Sequence, residues 1–189
     1  MTAGIDWRID DDTAIRSLVP ADAVELFALV EANRARLERW MDWAPGTKTS
    51  EHVRRFIESS RASEHDIEAN GLIVDGAVVG AAGMSVDPTH DLGDIGYWID
   101  ERFEGRGMIT GAARLFLDHG FRRLGLHRIS IHAAVENRRS RAVPERLGFT
   151  MEGVLRGAGK TVAGYLDMVV YSMLDEEWRD HGAPSSRSA

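Results

Sequence analysis

Ile-Gly-Tyr-Trp-Ile-Asp-Glu-Arg-Phe-Glu-Gly-Arg-Gly-Met-Ile-Thr-Gly-Ala, residues Ile95 to Ala112, is the stretch on which the fold turns. Asp94 to Asp100 alternates as a strand does. Gly105-Arg106-Gly107 then leads into a helix, with Ala112, Ala113, Phe116, Leu117 and Leu124 apolar at helical spacing. Glycines let a backbone approach a ligand closely, and the first N–H groups of a helix have no internal partner. Together they make a donor-rich cradle for phosphate, to which Arg106 can add a charge-assisted contact. No Gly-x-x-x-x-Gly-Lys-Ser/Thr occurs, which excludes a P-loop. A dinucleotide fold is disfavoured because Asp100 to Glu104 separates the strand from the first glycine. Its ribose-binding acid is also missing, since the segment after the next strand carries Arg138, Arg139 and Arg141.

Working outward, Ala14–Leu18 reads as a first strand, and Pro20 with Asp22 opens a helical region to Met41, broken into two helices. Pro45-Gly46 ends it. Thr49 or Ser50 caps a third helix that buries Val53, Phe56 and Ile57. Ile67–Val74 and Ala77–Val86 flank Asp75-Gly76, a hairpin signal. Beyond the central stretch, Arg128–Val135 alternates as a strand. Asn137–Leu147 reads as a short helix in which Pro144 is tolerable only in the first turn or two. Two closing strands, Phe149–Leu155 and Tyr165–Leu174, surround a Gly157-Ala158-Gly159 loop. With no internal repeat and no linker, the chain is expected to form one α/β domain over residues 1–180, followed by a frayed Ser-rich tail, His181–Ala189.

Composition narrows the function. The 189 residues are 43% hydrophobic and 28% charged, as in a folded domain. No cysteine is present, which excludes disulfides, a zinc-thiolate site and a cysteine nucleophile. No apolar run near Met1 reads as a signal peptide and none is long enough to span a membrane, so a cytoplasmic protein is expected. A net charge of −7 argues against a general nucleic-acid binder. Yet from Arg102 to Arg146 ten Lys/Arg stand against four Asp/Glu, while the rest of the chain carries 13 against 26. A basic island in an acidic chain points to a local anionic ligand.

The Ile95–Ala112 stretch resembles the acetyl-CoA-binding motif of the GCN5-related N-acetyltransferases. A second run within Arg128–Phe149, Ala-Val-Glu-Asn137-Arg-Arg-Ser140-Arg-Ala and then Glu-Arg-Leu-Gly148-Phe149, resembles the RimJ/RimL-like ribosomal-protein branch of that family. So do Leu37-Glu-Arg-Trp40-Met-Asp-Trp43, Glu152–Arg156 and Asp167–Leu174. The resemblance covers nearly the whole chain. It implies a mostly antiparallel central sheet flanked by helices, with two middle strands splayed to admit the pantetheine arm. It also implies an enzyme that moves an acetyl group from acetyl-CoA to a primary amine, without a metal.

Carried over residue by residue, Gly105, Arg106, Gly107, Met108, Ile109 and Thr110 would hold the pyrophosphate. The backbone of Ile99 would pair with pantetheine, and Asn137 would bond the same arm. Arg138 and Arg141 are candidates for the adenosine phosphates on charge grounds. Ser140 would serve the leaving thiolate, and Asp94 is the candidate base. Trp40, Trp43 and Tyr97 are assigned to the acceptor pocket, the two tryptophans sharing a helix face. Three positions depart from the family pattern: Glu104, where Gln or Arg is usual and whose carboxylate is expected to point away, Ile109, where Gly or Ala is usual, and Gly159, where some relatives carry a glutamate. No His-x-x-x-His pair suggests a metal site. The favoured acceptor is a protein N-terminus of ribosomal type. A small amine acceptor, a non-catalytic CoA-binding protein and a homodimer stay open.

Overall fold

A computed structural model describes residues 5–62 and 67–181. Strands β3 (Ile67–Val74) and β4 (Ala77–Asp87) are joined through Asp75 and Gly76, with φ of 50° and 80°. Positive φ at both central residues is what a tight hairpin matching the strand twist requires, so the Asp-Gly signal acts as expected. Before this hairpin lie β1 (Asp6–Arg8), β2 (Thr13–Ser17), α1 (Ala23–Ala32), α2 (Arg34–Glu38) and α3 (Ser50–Ala62). After it come β5 (Leu92–Ile99), α4 (Met108–His119), β6 (Arg128–Ala134), α5 (Arg138–Leu147), β7 (Thr150–Thr161), β8 (Gly164–Leu174) and α6 (Asp175–His181).

The strands form one eight-stranded sheet in the order β1-β2-β3-β4-β5-β6-β8-β7. Every neighbouring pair is antiparallel except β5 and β6. That parallel pair is joined only near its start, through Leu92–Arg128, Gly93–Ile129 and Asp94–Ser130. Beyond Asp94 the two strands part, while β5 stays paired to β4 as far as Ile99, opposite Gly80. The sheet is therefore splayed in the middle.

Helices cover both faces. On one, Phe116, Leu117 and Ala113 of α4 and Val143 and Leu147 of α5 pack with Ile95, Ile99 and Ile131 in the main core. On the other, Leu26 and Leu29 of α1 pack with Val53 and Ile57 of α3 over Val78. Burying apolar side chains of this kind stabilises by roughly 25 cal/mol per Å² removed from water.

Several expectations are corrected. Trp40 and Trp43 do not share a helix face: α2 stops at Glu38, and Trp43 precedes a 3₁₀ turn at Ala44–Gly46. Pro45 has no N–H to offer the carbonyl of Met41, which keeps any helix from continuing past it, but the chain has already left α2 after Glu38. The Gly157–Gly159 segment is not a loop between strands. It lies inside β7, which crosses a register shift between Leu155 and Gly159 and turns only after Thr161. The short β1 was missed, as was α6, whose Trp178 is buried in the main core and donates from Nε1 to Asp118 at 2.9 Å. The tail expected from His181 thus begins on a helix, and residues 182–189 lie outside the described residues.

Candidate active site

At the end of β5 the chain makes a 3₁₀ turn, Glu101–Phe103, capped by Asp100, whose carboxylate accepts from the Arg102 N–H at 2.9 Å and from its guanidinium at 2.7 Å. The hydrogen bonds from Arg102 hold the buried Asp100 carboxyl below the usual carboxylate range. The glycine turn follows. Gly105 and Gly107 have φ of 76° and 82°, and a Cβ at either would meet nothing within 4 Å. Conformation, not crowding, demands glycine here, and it leaves open space beside the turn. Gly107 is the N-cap of α4 and offers no side-chain cap, so the N–H groups of Met108, Ile109 and Thr110 open α4 without one.

Charge around this turn is arranged in a way the sequence did not show. The Glu104 carboxylate is bracketed by the guanidinium groups of Arg36 from α2 and Arg139 from α5. Arg36 also donates to the Ile99 carbonyl and, at 2.9 Å, to Asn33 Oδ1. Burial pulls the Arg36 pKa down from its ordinary value. A lone carboxylate would repel a pyrophosphate, but this one is offset by two cations. Arg106 lies over the Phe103 ring at 4.9 Å. Arg138 is exposed and makes no ion pair among the described residues. Arg141, by contrast, is spent on the fold: it donates to the Tyr171 hydroxyl at 2.9 Å and to the Val135 carbonyl at 3.0 Å. Of the two arginines assigned to the adenosine phosphates, the structure leaves Arg138 available and turns Arg141 toward β8.

The open edge of β5 carries backbone donors and acceptors. Asp100 N–H donates to Val79 O at 2.8 Å, which makes Ile99 and Gly80 a pair without mutual hydrogen bonds. The N–H and C=O of Ile99 accordingly point away from β4, on the side where the sheet has parted, and the C=O already accepts from Arg36. Across the gap stands the start of α5. Asn137 caps it, its Oδ1 accepting from Ser140 N–H at 3.1 Å, which leaves the amide NH₂ outside that cap. The Tyr97 hydroxyl reaches over from β5 and donates to the Ser140 carbonyl at 2.9 Å. Burial raises the Tyr97 pKa to about 12, so this hydroxyl stays protonated.

On the other face of the sheet, between α1, α3 and the segment after α2, lies a cavity of about 420 Å³. Trp43 and Trp98 wall it with ring centroids 6.1 Å apart, Phe56 and Met41 add apolar surface, and Asp94 stands at its edge. Tyr97 borders the same cavity but sends its hydroxyl to α5. Trp40 is not among the lining residues; Arg39 lies over its ring at 4.5 Å. Trp98 stands beside Trp43 in the cavity wall, where Trp40 is expected from the sequence. Period-two alternation with Tyr97 was its signal.

Asp94 sits where β5 and β6 begin to part. Ser130 Oγ donates to its Oδ1 at 2.8 Å, and His132 Nε2 lies 3.9 Å from the same oxygen. At Gly159 a Cβ would approach Met168 Sδ to 2.8 Å, so a carboxylate could stand there only if Met168 moved. Among the described residues no three His, Asp or Glu side chains are grouped to hold a metal, and no helix is long and apolar enough to cross a membrane.

Comparison with known proteins gives this geometry a context. The acetyltransferase (GNAT) domain family matches residues 13–150. The chain is 38% identical over 176 residues to the "Putative ribosomal N-acetyltransferase YdaF" of Bacillus subtilis (strain 168), covering 90% of this chain and 96% of that one. It is 22% identical over 170 residues to the "Ribosomal-protein-serine acetyltransferase" of Escherichia coli (strain K12), covering 88% and 95%. Among solved structures, the microcin C7 self-immunity acetyltransferase MccE in complex with acetyl-CoA and AMP superposes with a TM-score of 0.82 at 26% identity, over 92% of this chain and 97% of that one.

Proposed function

The chain belongs to the acetyltransferase (GNAT) domain family, and from that premise we propose that it transfers an acetyl group from acetyl-CoA to the α-amine of a protein N-terminus of ribosomal type. The observation that carries this reading is the aromatic cavity of Trp43 and Trp98, which borders the splayed β5 and has a carboxylate at its edge. A chain end can enter such a slot, and rigid aromatic walls hold it at small entropic cost. The names of the two curated relatives point to the same class of acceptor.

The residues present fit the co-substrate. The uncapped N–H groups of Met108–Thr110, with Arg106 and Arg138, suit a pyrophosphate and further phosphates. Ile99 offers strand-like pairing to an amide-bearing arm, and Asn137 offers an NH₂ beside it. Acetyl-CoA supplies the activated thioester, and the chain supplies position, a proton acceptor and a proton donor. In this reading Asp94, directly or through water, takes the proton from the incoming ammonium, and the Ser140 hydroxyl faces the departing sulfur. An α-amine suits a half-exposed carboxylate, since its unperturbed pKa of about 7.7–8.0 lies well below the 10.4 of lysine.

The test is a thioester-turnover assay with a panel of peptides bearing free N-termini, run beside polyamines and free amino acids. Peptides should be acetylated at the N-terminus, located by fragment mass spectrometry. Small amines outperforming every peptide would overturn the acceptor assignment.

A further inference from the structure

Helix α5 contains a proline that its hydrogen bonding has to accommodate. Pro144 is the seventh residue of Arg138–Leu147 and is buried. It has no N–H, so the carbonyl four residues earlier, that of Ser140, loses its helical donor, and the ring pushes that carbonyl outward. An acceptor left bare inside a fold is costly, and the great majority find a partner. Here the partner comes from another element: Tyr97 Oη–H, on β5, donates to Ser140 O at 2.9 Å. The same phenolic oxygen lies 3.4 Å from Ser140 Oγ, whose hydrogen it can accept. The Tyr97 proton is therefore committed to the carbonyl, and its lone pairs hold the serine hydrogen at rest, from where the hydroxyl turns to donate to the thiolate as it departs.

We infer that Pro144 and Tyr97 are positioning residues for Ser140: the proline vacates the Ser140 carbonyl, the tyrosine fills it, and the pair sets the orientation of the serine hydroxyl across the gap between β5 and α5. The inference rests on the reading of Ser140 as the group that faces the leaving sulfur. It assigns a role to a proline that would otherwise only weaken a helix. The high pKa of Tyr97 keeps the latch closed over the working pH range.

Pro144→Ala restores an N–H to the helix and lets the Ser140 carbonyl turn back to it. The variant should fold at least as well as the parent, because alanine is the better helix residue. Its affinity for acetyl-CoA should stay within about twofold, while kcat falls by about 5- to 20-fold, a loss expressed in turnover and not in KM. Tyr97→Phe should show the same split, and the double variant should be no slower than the slower single one. A second readout needs no activity. In urea unfolding, Tyr97→Phe should lower the midpoint of the parent but leave that of Pro144→Ala nearly unchanged, because the carbonyl then has its own donor. Unchanged kcat in Pro144→Ala, or independent effects in both cycles, would overturn the inference while leaving the acetyltransferase intact. A parent inactive on every amine would count against the proposed acetyl transfer and the role of Ser140 in it, and the urea cycle would still decide whether the proline and the tyrosine are coupled.

Discussion

Replacing Gly107 by alanine separates what the glycine turn does for the fold from what it does for the ligand. Gly107 holds φ at 82°, a region in which a residue with a Cβ is strained by about 1–2 kcal/mol. No further steric term is expected, since a Cβ there meets nothing within 4 Å. For a domain of this size each kcal/mol lowers Tm by about 2–4 °C, so the variant should melt about 2–8 °C below the parent. Acetyl-CoA at a hundred times its Kd adds about 2.7 kcal/mol to the parent. If the methyl group intrudes on the pyrophosphate and weakens binding tenfold, the same concentration adds only about 1.4 kcal/mol to the variant. Thermal scans with and without acetyl-CoA, backed by calorimetric titration, measure both numbers. Gly107→Glu, which brings a carboxylate to the same spot, should lose the ligand-induced shift while remaining folded. An alanine variant that keeps the full shift would show that Gly107 only shapes the entry of α4, and the phosphate assignment would be wrong.

Three other outcomes follow from the site. Trp43→Ala should raise KM for a peptide acceptor by about tenfold, close to the upper range for an aromatic contact, with unchanged CoA affinity, whereas Trp40→Ala, outside the cavity, should do neither. Ser140→Ala should lower kcat by about 10- to 100-fold, or 1.4–2.8 kcal/mol, and Asp94→Asn should flatten the acidic limb of the pH–rate profile; full activity in both would leave transfer to positioning alone. Asp100→Asn should destabilise by about 1–3 kcal/mol at neutral pH. Because the Asp100 pKa is depressed in the folded state, its contribution is present above the unfolded carboxylate pKa and is lost as pH falls through the lower folded value, so parent and variant should converge in acid unfolding curves.

What was legible in the sequence is what lies close together along it. Asp75-Gly76 marks its hairpin because two adjacent residues must both take positive φ. Gly105-Arg106-Gly107 marks a helix entry because two glycines that can take positive φ stand just before the first helical N–H groups. Alternation marked most strands, with ends shifted by a residue or two except in β7, which runs on to Thr161, and the spacing of apolar residues marked α3 and α4, although Phe56, expected on the buried face of α3, is exposed. The order of these segments was enough for the family and, through it, for the splayed sheet. The Trp40–Trp43 pairing failed because it assumed a helix running up to Pro45, whereas α2 ends at Glu38. The Gly157–Gly159 segment read as a loop because glycines that permit a bulge look the same in one dimension as glycines that end a strand.

Only the tertiary structure decided which charges cancel and which hydroxyls meet. Arg36 and Glu104 stand 68 positions apart, and nothing local in either announces that one will neutralise the other beside the glycine turn. Tyr97 and Ser140, 43 apart, meet because β5 and β6 part and α5 starts across the gap. Asp94 and Ser130, 36 apart, meet because the same two strands are paired just before they diverge. Turns and periodicity are short-range consequences of backbone geometry and read directly from neighbouring residues. The electrostatics and hydrogen bonding of the site depend on which surfaces the sheet brings face to face, and that is set by packing over the whole chain.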